Sequence, residues 1–432
     1  ESMAKVKLIG KTHVQPAKKL GRKECQLVTF DLPYLAFFYN QKLLLYRGGD
    51  FSAMAEKLRR GLGTALESYY QLAGRLGRYE DGTFMVEYDD GMDGVEVSEA
   101  VAGDVRIADL VADDCPLSSG DLVPYGGVLN IEGLHRPLLS VQLTNLRDGL
   151  AIGCAFNHAI LDGTSTWQFM HAWAFTCCNE GKPAPAPPFL DRTMARSTRT
   201  KLEIPAAENG GAAPEPQLRE RVFRFSEAAI EAIKSEVNSG KGKPFTTFQC
   251  LSSHVWRAIT RARRLRPEEP TVFTVFADCR RRMEPPMPDN YFGNLIQAVF
   301  AGAAAGAVAG GPAEGAAAAI RSAVEMHGAA AIEKRNREWE ANPVMLQYKD
   351  AGKNCVAVGS SPRFDVYGVD FGWGPPASVR SGSNNRFDGM VYLYQGAAGR
   401  RSVDVEISLE AAAMGRLEGD ADFLRPDVPA GV

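Results

Sequence analysis

The sequence predicts an α/β chain of two domains, and three observations carry that expectation. A length of 432 residues exceeds one small module and fits two or three domains. Strand-like runs and helical periodicities alternate within each half. A Pro-, Ala-, Gly- and Glu-rich stretch without periodicity, 180–217, divides the chain near its midpoint. The expected domains are 3–179 and 218–432, joined by that crossover linker. Hydrophobic residues make up 45% and charged residues 23%, the balance of a globular chain with ample core. The 52 acidic residues nearly cancel the 49 basic ones, so no overall field steers the chain towards nucleic acid or anionic lipid. A small or neutral partner is expected.

Taken in order, the first thirty residues are basic (Lys5, Lys7, Lys11, Lys18, Lys19, Arg22, Lys23) and lack the apolar core of a secretory signal. Phe51, Met54, Leu58, Leu62, Ala65 and Tyr69 recur every three or four residues behind Asp50 and Ser52, predicting an amphipathic helix that ends near Gly74. The runs Leu138–Leu146 and Leu150–Phe156, parted by Arg147-Asp-Gly149, predict a hairpin. The segment Thr164–Phe175 reads as a helix capped by Thr164 or Ser165. Beyond the linker come a strand, Arg221–Phe225, a helix from Ser226, a helix from about Thr247 and a strand, Thr271–Phe276. The Ala/Gly run 301–319, broken by Pro312, reads as a loop leading into a helix. The uncharged stretch 298–311 is too short and too weakly apolar to span a bilayer. Eight cysteines (25, 115, 154, 177, 178, 250, 279, 355) show neither C-x-x-C nor zinc spacing, as for free thiols in a reducing compartment. A cytoplasmic protein without a transmembrane segment is expected.

Six histidines leave few candidates for a base near neutral pH. His158 stands out because it follows a predicted strand and precedes a tight loop and a helix, in Asn157-His-Ala-Ile-Leu-Asp-Gly163. A histidine so placed serves structure as readily as catalysis. Its company decides. Some two hundred residues on lies Asp370-Phe-Gly-Trp-Gly374, glycine-spaced and aromatic, suited to a tight turn with a packed Trp373. Cys154 offers no thiol dyad with His158, since four residues of extended strand span about 13 Å. A His/Asp pair at this spacing lacks a third metal ligand, and no metal site is expected.

The pair H-x-x-x-D-G and D-F-G-W-G resembles the plant BAHD acyltransferases. Tyr70-Gln-Leu-Ala-Gly-Arg75, Ser253-His-Val-Trp-Arg257 and Ala277-Asp-Cys-Arg-Arg-Arg282, the last running on to Tyr291-Phe-Gly-Asn294, fit the same pattern in the same order. The match runs from about Val14 to Leu417-Glu418. The resemblance implies two chloramphenicol-acetyltransferase-like domains with mixed sheets flanked by helices. It also implies transfer of an acyl group from a coenzyme A thioester to an alcohol or amine, in a channel that the two ligands enter from opposite faces. A thioester is already activated, so the chemistry needs a base for the acceptor and stabilisation of the oxyanion. His158 is the expected base, in direct attack without an acyl-enzyme. Asp162 invites a triad-like reading, but the resemblance implies an ion pair with Arg280 that shapes the loop. Gly163 belongs to the same motif. Asp370, Gly372, Trp373 and Gly374 are implied to support the channel at a distance from the reacting atoms.

Acyl-CoA is expected as co-substrate, with no permanently bound cofactor. Thr247, at a helix start, and Arg281 are candidate contacts for its phosphates and pantetheine arm. The aromatic stretch around Tyr34 and Phe38 reads either as core or as the lining of an acyl or acceptor pocket. Two departures from the hydroxycinnamoyl-transferring members bear on substrate. Ser361 stands where they commonly place a Trp, and Pro375 follows the last glycine where they often place an Arg. That Arg meets a carboxylated acceptor such as shikimate, and a buried carboxylate without a cation is costly, so an anionic shikimate-like acceptor is disfavoured. These features are most similar to the branch linked to cuticle and cutin formation. A small hydroxylated acceptor and a monomer are expected. Rival readings are a hydroxycinnamoyl-CoA transferase of specialised metabolism, a catalytically silent acyl-CoA-binding homologue, and an esterase, which lacks a G-x-S-x-G elbow.

Overall fold

A computed structural model describes residues 6–112, 121–204, 217–347, 352 and 354–425. Cys115 and part of the expected linker, 205–216, lie outside the described residues; the other seven cysteines are free thiols. Two six-stranded mixed sheets carry the architecture. The first runs, in spatial order, Lys7–Val14, Val95–Ala102, Leu139–Leu146, Gly149–Phe156, Asn40–Arg47 and Ser378–Ser381. The second runs Ile296–Ala304, Pro270–Asp278, Cys355–Val358, Met390–Gln395, Val403–Glu410 and Leu218–Phe225. The expected hairpin is present, its strands joined at Arg147-Asp148 and delivering the chain towards His158.

Helices cover one face of each sheet. Phe51–Leu66 lies against Gly163–Cys178, with Trp173 Nε1 donating to Leu58 O at 3.0 Å and Thr176 Oγ1 to Gly61 O at 2.7 Å. The contact needs Gly61: a Cβ there would sit 2.3 Å from Cys177 Sγ. The first helix stops at Leu66, short of Gly74, because its last turn tightens where Glu67 N bonds Thr64 O. Tyr70–Ala73 forms a separate short turn.

The Ala/Gly run is not a loop. Residues up to Ala304 finish a strand laddered to Pro270–Asp278, Ala301 opposite Phe273 and Ala303 opposite Thr271, and helices Ala305–Gly310 and Ala313–Met326 follow. A neighbouring strand supplies the pairing that Ala and Gly do not favour locally. Nor is the stretch after Glu180 wholly unpacked, since Arg192 is fully buried within it.

Two segments of the second half reach the first sheet. Ser378–Ser381 pairs antiparallel with Asn40–Arg47, Ser381 opposite Lys42. Just before it, Val369 O accepts from Tyr46 Oη at 2.8 Å, and Phe371 and Trp373 pack on the Tyr46 ring. The two sheets thereby face a shared cavity.

Candidate active site

The loop between Phe156 and helix Gly163–Cys178 is built from buried polar residues. Asn157 accepts from Ala159 N and donates to Asn130 O, while Asn130 Oδ1 accepts from His158 N at 2.8 Å. Asn294, from the second half, donates to His158 O at 2.7 Å. Ile160 O accepts from Arg192, which also pairs with Asp31 at 2.7 Å, both side chains fully buried. The backbone of His158 is therefore held from both halves.

Asp162, rather than Thr164 or Ser165, is the N-cap of the helix, accepting from Ser165 N at 3.0 Å. An aspartate fits because its short carboxylate reaches the first-turn N–H groups and complements the helix dipole. The same carboxylate takes both Arg280 nitrogens, at 2.8 and 3.1 Å, and Leu295 N at 3.0 Å. Burial pushes its pKa up, but Arg280 and the backbone donors outweigh that and hold it below the ordinary range. Arg280 also reaches Ser165 Oγ and Tyr291 O. These contacts saturate Asp162, and the triad-like alternative finds no support in the geometry.

His158 projects into a cavity of about 840 Å³. Tyr34 stacks on its ring, centroids 5.1 Å apart and planes 11° from parallel. Burial lowers the imidazole pKa below 6.5, favouring the neutral form. Nδ1 is buried without a hydrogen-bond partner of normal geometry. Nε2 is thus the nitrogen available to a ligand proton.

Of the other expected residues, Gly163, Arg280, Arg281, Tyr34 and Ser361 line the cavity. Thr247 does not. The cap of helix Thr247–Ala262 is Thr246, which reciprocates with Gln249, and these two face the cavity in its place. The sequence marks the helix start, but two adjacent threonines cap equally well on paper. Phe38 likewise yields to Phe37; its own backbone is tied to Asn385, and most of the aromatic stretch, including Phe30, Leu35 and Tyr39, is core. Arg281 is largely exposed and pairs with Asp289 at the rim.

Asp370, Gly372, Trp373 and Gly374 lie off the cavity wall. Asp370 Oδ1 accepts from Gly372 N at 2.7 Å and Gly374 N at 2.9 Å, both glycines at positive φ. Trp373 sits beneath Lys57 and against Tyr46. The motif is a turn that fastens the second half to the first sheet. The sequence reading missed Asn130, Arg192 and Lys42, whose partners are remote in the chain. Lys42 lies on the cavity wall.

Comparison with known proteins agrees with this arrangement. The Transferase family model matches residues 4–424. "BAHD acyltransferase DCR" of Arabidopsis thaliana is 54% identical, over 97% of this chain and 92% of the relative. "Hydroxycinnamoyltransferase 2" of Oryza sativa subsp. japonica is 31% identical, over 95% and 98%. The crystal structure of vinorine synthase superposes with a TM-score of 0.76 at 19% identity, covering 98% of each chain. That of F. sporotrichioides TRI101 complexed with coenzyme A and T-2 gives 0.75 at 20% identity, over 93% and 98%. The fold is thus that of these two-domain transferases.

Proposed function

The chain belongs to the BAHD family of acyl-CoA-dependent acyltransferases, in the DCR branch, and we propose that it esterifies a hydroxyl acceptor with His158 as general base. The observation that carries the role of His158 is its ring: neutral by burial, with Nε2 open to a cavity walled by both sheets. The acceptor hydroxyl gives its proton to Nε2 as its oxygen attacks the thioester carbonyl. A C–O bond forms, the tetrahedral intermediate collapses with cleavage of C–S, and the imidazolium returns the proton to the departing thiolate. No acyl-enzyme intervenes.

Asp162 and Arg280 are positioning residues in this reading, holding the loop and the helix start rather than touching the imidazole. Thr246, Gln249, Arg281 and Arg282 line the cavity, and a helix N-terminus and guanidinium groups suit the anionic phosphates of coenzyme A. Among the described residues no helix is long and apolar enough to cross a membrane. A cytoplasmic monomer acting in cutin or cuticle formation completes the proposal, supported by the 54% identity to the DCR relative.

The test is His158→Ala, shown folded by an unchanged thermal transition. Loss of a general base costs about 10²- to 10⁴-fold in turnover. Turnover near that of the wild type would overturn the assignment.

A further inference from the structure

Pro375 leaves the D-F-G-W-G turn without a cation at its end, yet the fold brings one to the cavity from elsewhere. Lys42 lies on strand Asn40–Arg47, is 3% exposed, and lines the same cavity as His158. Its Nζ donates a hydrogen bond to Tyr394 Oη at 2.9 Å and lies 5.5 and 5.4 Å from the Tyr392 and Tyr394 ring centroids. An ammonium has three donors. Among the described residues Lys42 makes no ion pair, while Glu406 accepts from Ser381 N at 2.9 Å and from Arg386 at 3.0 Å, and Arg386 also meets Glu220. Tyr392 and Tyr394 stand two strands across the second sheet from Pro270–Asp278, the strand that leads to Arg281. Asn40, Phe37, Phe387 and Met390 also line the cavity.

We infer that Lys42 anchors a carboxylate carried by the acceptor, so that the preferred acceptor is a hydroxy acid with an apolar body. The inference rests on the acyl-transfer reading above and names its substrate class. A buried ammonium with one hydrogen bond, to Tyr394, and otherwise only aromatic rings beside it is costly until an anion meets it, whereas the apolar walls suit the body between carboxylate and hydroxyl. Burial pushes the Lys42 pKa down to about 8, with Glu406 opposing and Arg386 adding to that shift, so the charged form still prevails at pH 7. The positive charge also helps keep His158 neutral.

The test uses the full chain with matched acceptors, ω-hydroxylauric acid and a phenolic hydroxy acid against their methyl esters, each supplied with lauroyl- and feruloyl-CoA. Released thiol and ester product are both measured. The wild type is expected to favour each acid over its ester in kcat/KM by about 10- to 100-fold, the range for a charge-assisted hydrogen bond. Lys42→Met should bring that ratio to about one, and Lys42→Arg should retain part of it. Because the readout is a ratio within one protein, a general loss of stability does not mimic it. Equal use of acid and ester by the wild type, or an acid preference that survives in Lys42→Met, overturns the inference while leaving acyl transfer standing. A second arm compares glutaryl-CoA with its monomethyl ester on lauryl alcohol. A preference appearing there assigns the carboxylate to the donor and overturns the acceptor assignment. If no donor and acceptor pair releases CoA, the acyl-transfer reading itself fails.

Discussion

His158 makes the sharpest prediction at the scale of a single residue. The neutral imidazole is the active form, and its pKa is held below 6.5 chiefly by burial. The kcat/KM profile should therefore stay flat through pH 6.5 and fall only as the pH drops through that lowered value. A midpoint at or above 6.5 would contradict the buried-base assignment. Asp162 carries the opposite kind of test. Its lowered pKa means that its stabilising contribution is present above the unfolded carboxylate's pKa and lost as the pH falls through the folded one. At neutral pH, Asp162→Asn leaves buried Arg280 with only the half-exposed Asp278, 3.1 Å away, as counter-charge, and breaking a buried pair costs up to about 3–5 kcal/mol. Thermal unfolding should show this loss alongside reduced turnover. An unchanged transition with lost activity would restore a direct chemical part for the carboxylate. The order His158, Asp162, Gly163 was plain in the sequence. That Asp162 both caps a helix and pairs across the halves was expected only in its second part, because Thr164 and Ser165 are equally good caps on paper.

At the scale of elements, the helix beginning at Gly163 brings its first residue to the cavity wall close to Phe364. A Cβ on Gly163 would stand 3.1 Å from Phe364 Cε2 in the opposite wall, so the ring must shift to admit it. Gly163→Ala should cost about 1–3 kcal/mol by overpacking and raise KM for acceptor more than it lowers kcat. A variant with wild-type KM would show that Phe364 yields freely. Helices and strands with strong apolar periodicity were legible in advance, as for the hairpin before His158 and the helix from Ser226. The strand ending at Ala304 was not, since alanine and glycine signal no strand until Phe273 and Thr271 supply the ladder. Thr247 and Phe38 lie off the cavity wall for a related reason. Each is one residue from the position that faces the cavity, and a one-residue step redirects a side chain, by about 100° along a helix and to the opposite face along extended chain.

For the whole molecule, the first sheet takes its edge strand, Ser378–Ser381, from the second half, and Trp373 packs on Tyr46. Residues 3–217 produced alone would expose the Asn40–Arg47 edge and the Tyr46 surface. That fragment should lack a cooperative thermal transition and regain one when mixed with residues 218–432. A sharp transition in the isolated fragment would show that the halves are independent. Composition and periodicity sufficed for an α/β chain with a candidate base, His158, on a short loop, and the acyltransferase family came from the resemblance of its two motifs and the collinear segments between them. These features are written in local pattern, where each residue's neighbours within a few positions settle its state. Arg192 with Asp31, Asn294 with His158, and Lys42 with Tyr394 are pairs 161, 136 and 352 residues apart. Their meaning depends on which buried group meets which across the fold, and folding alone brought Lys42, an ordinary strand lysine in the sequence, to the wall of the cavity.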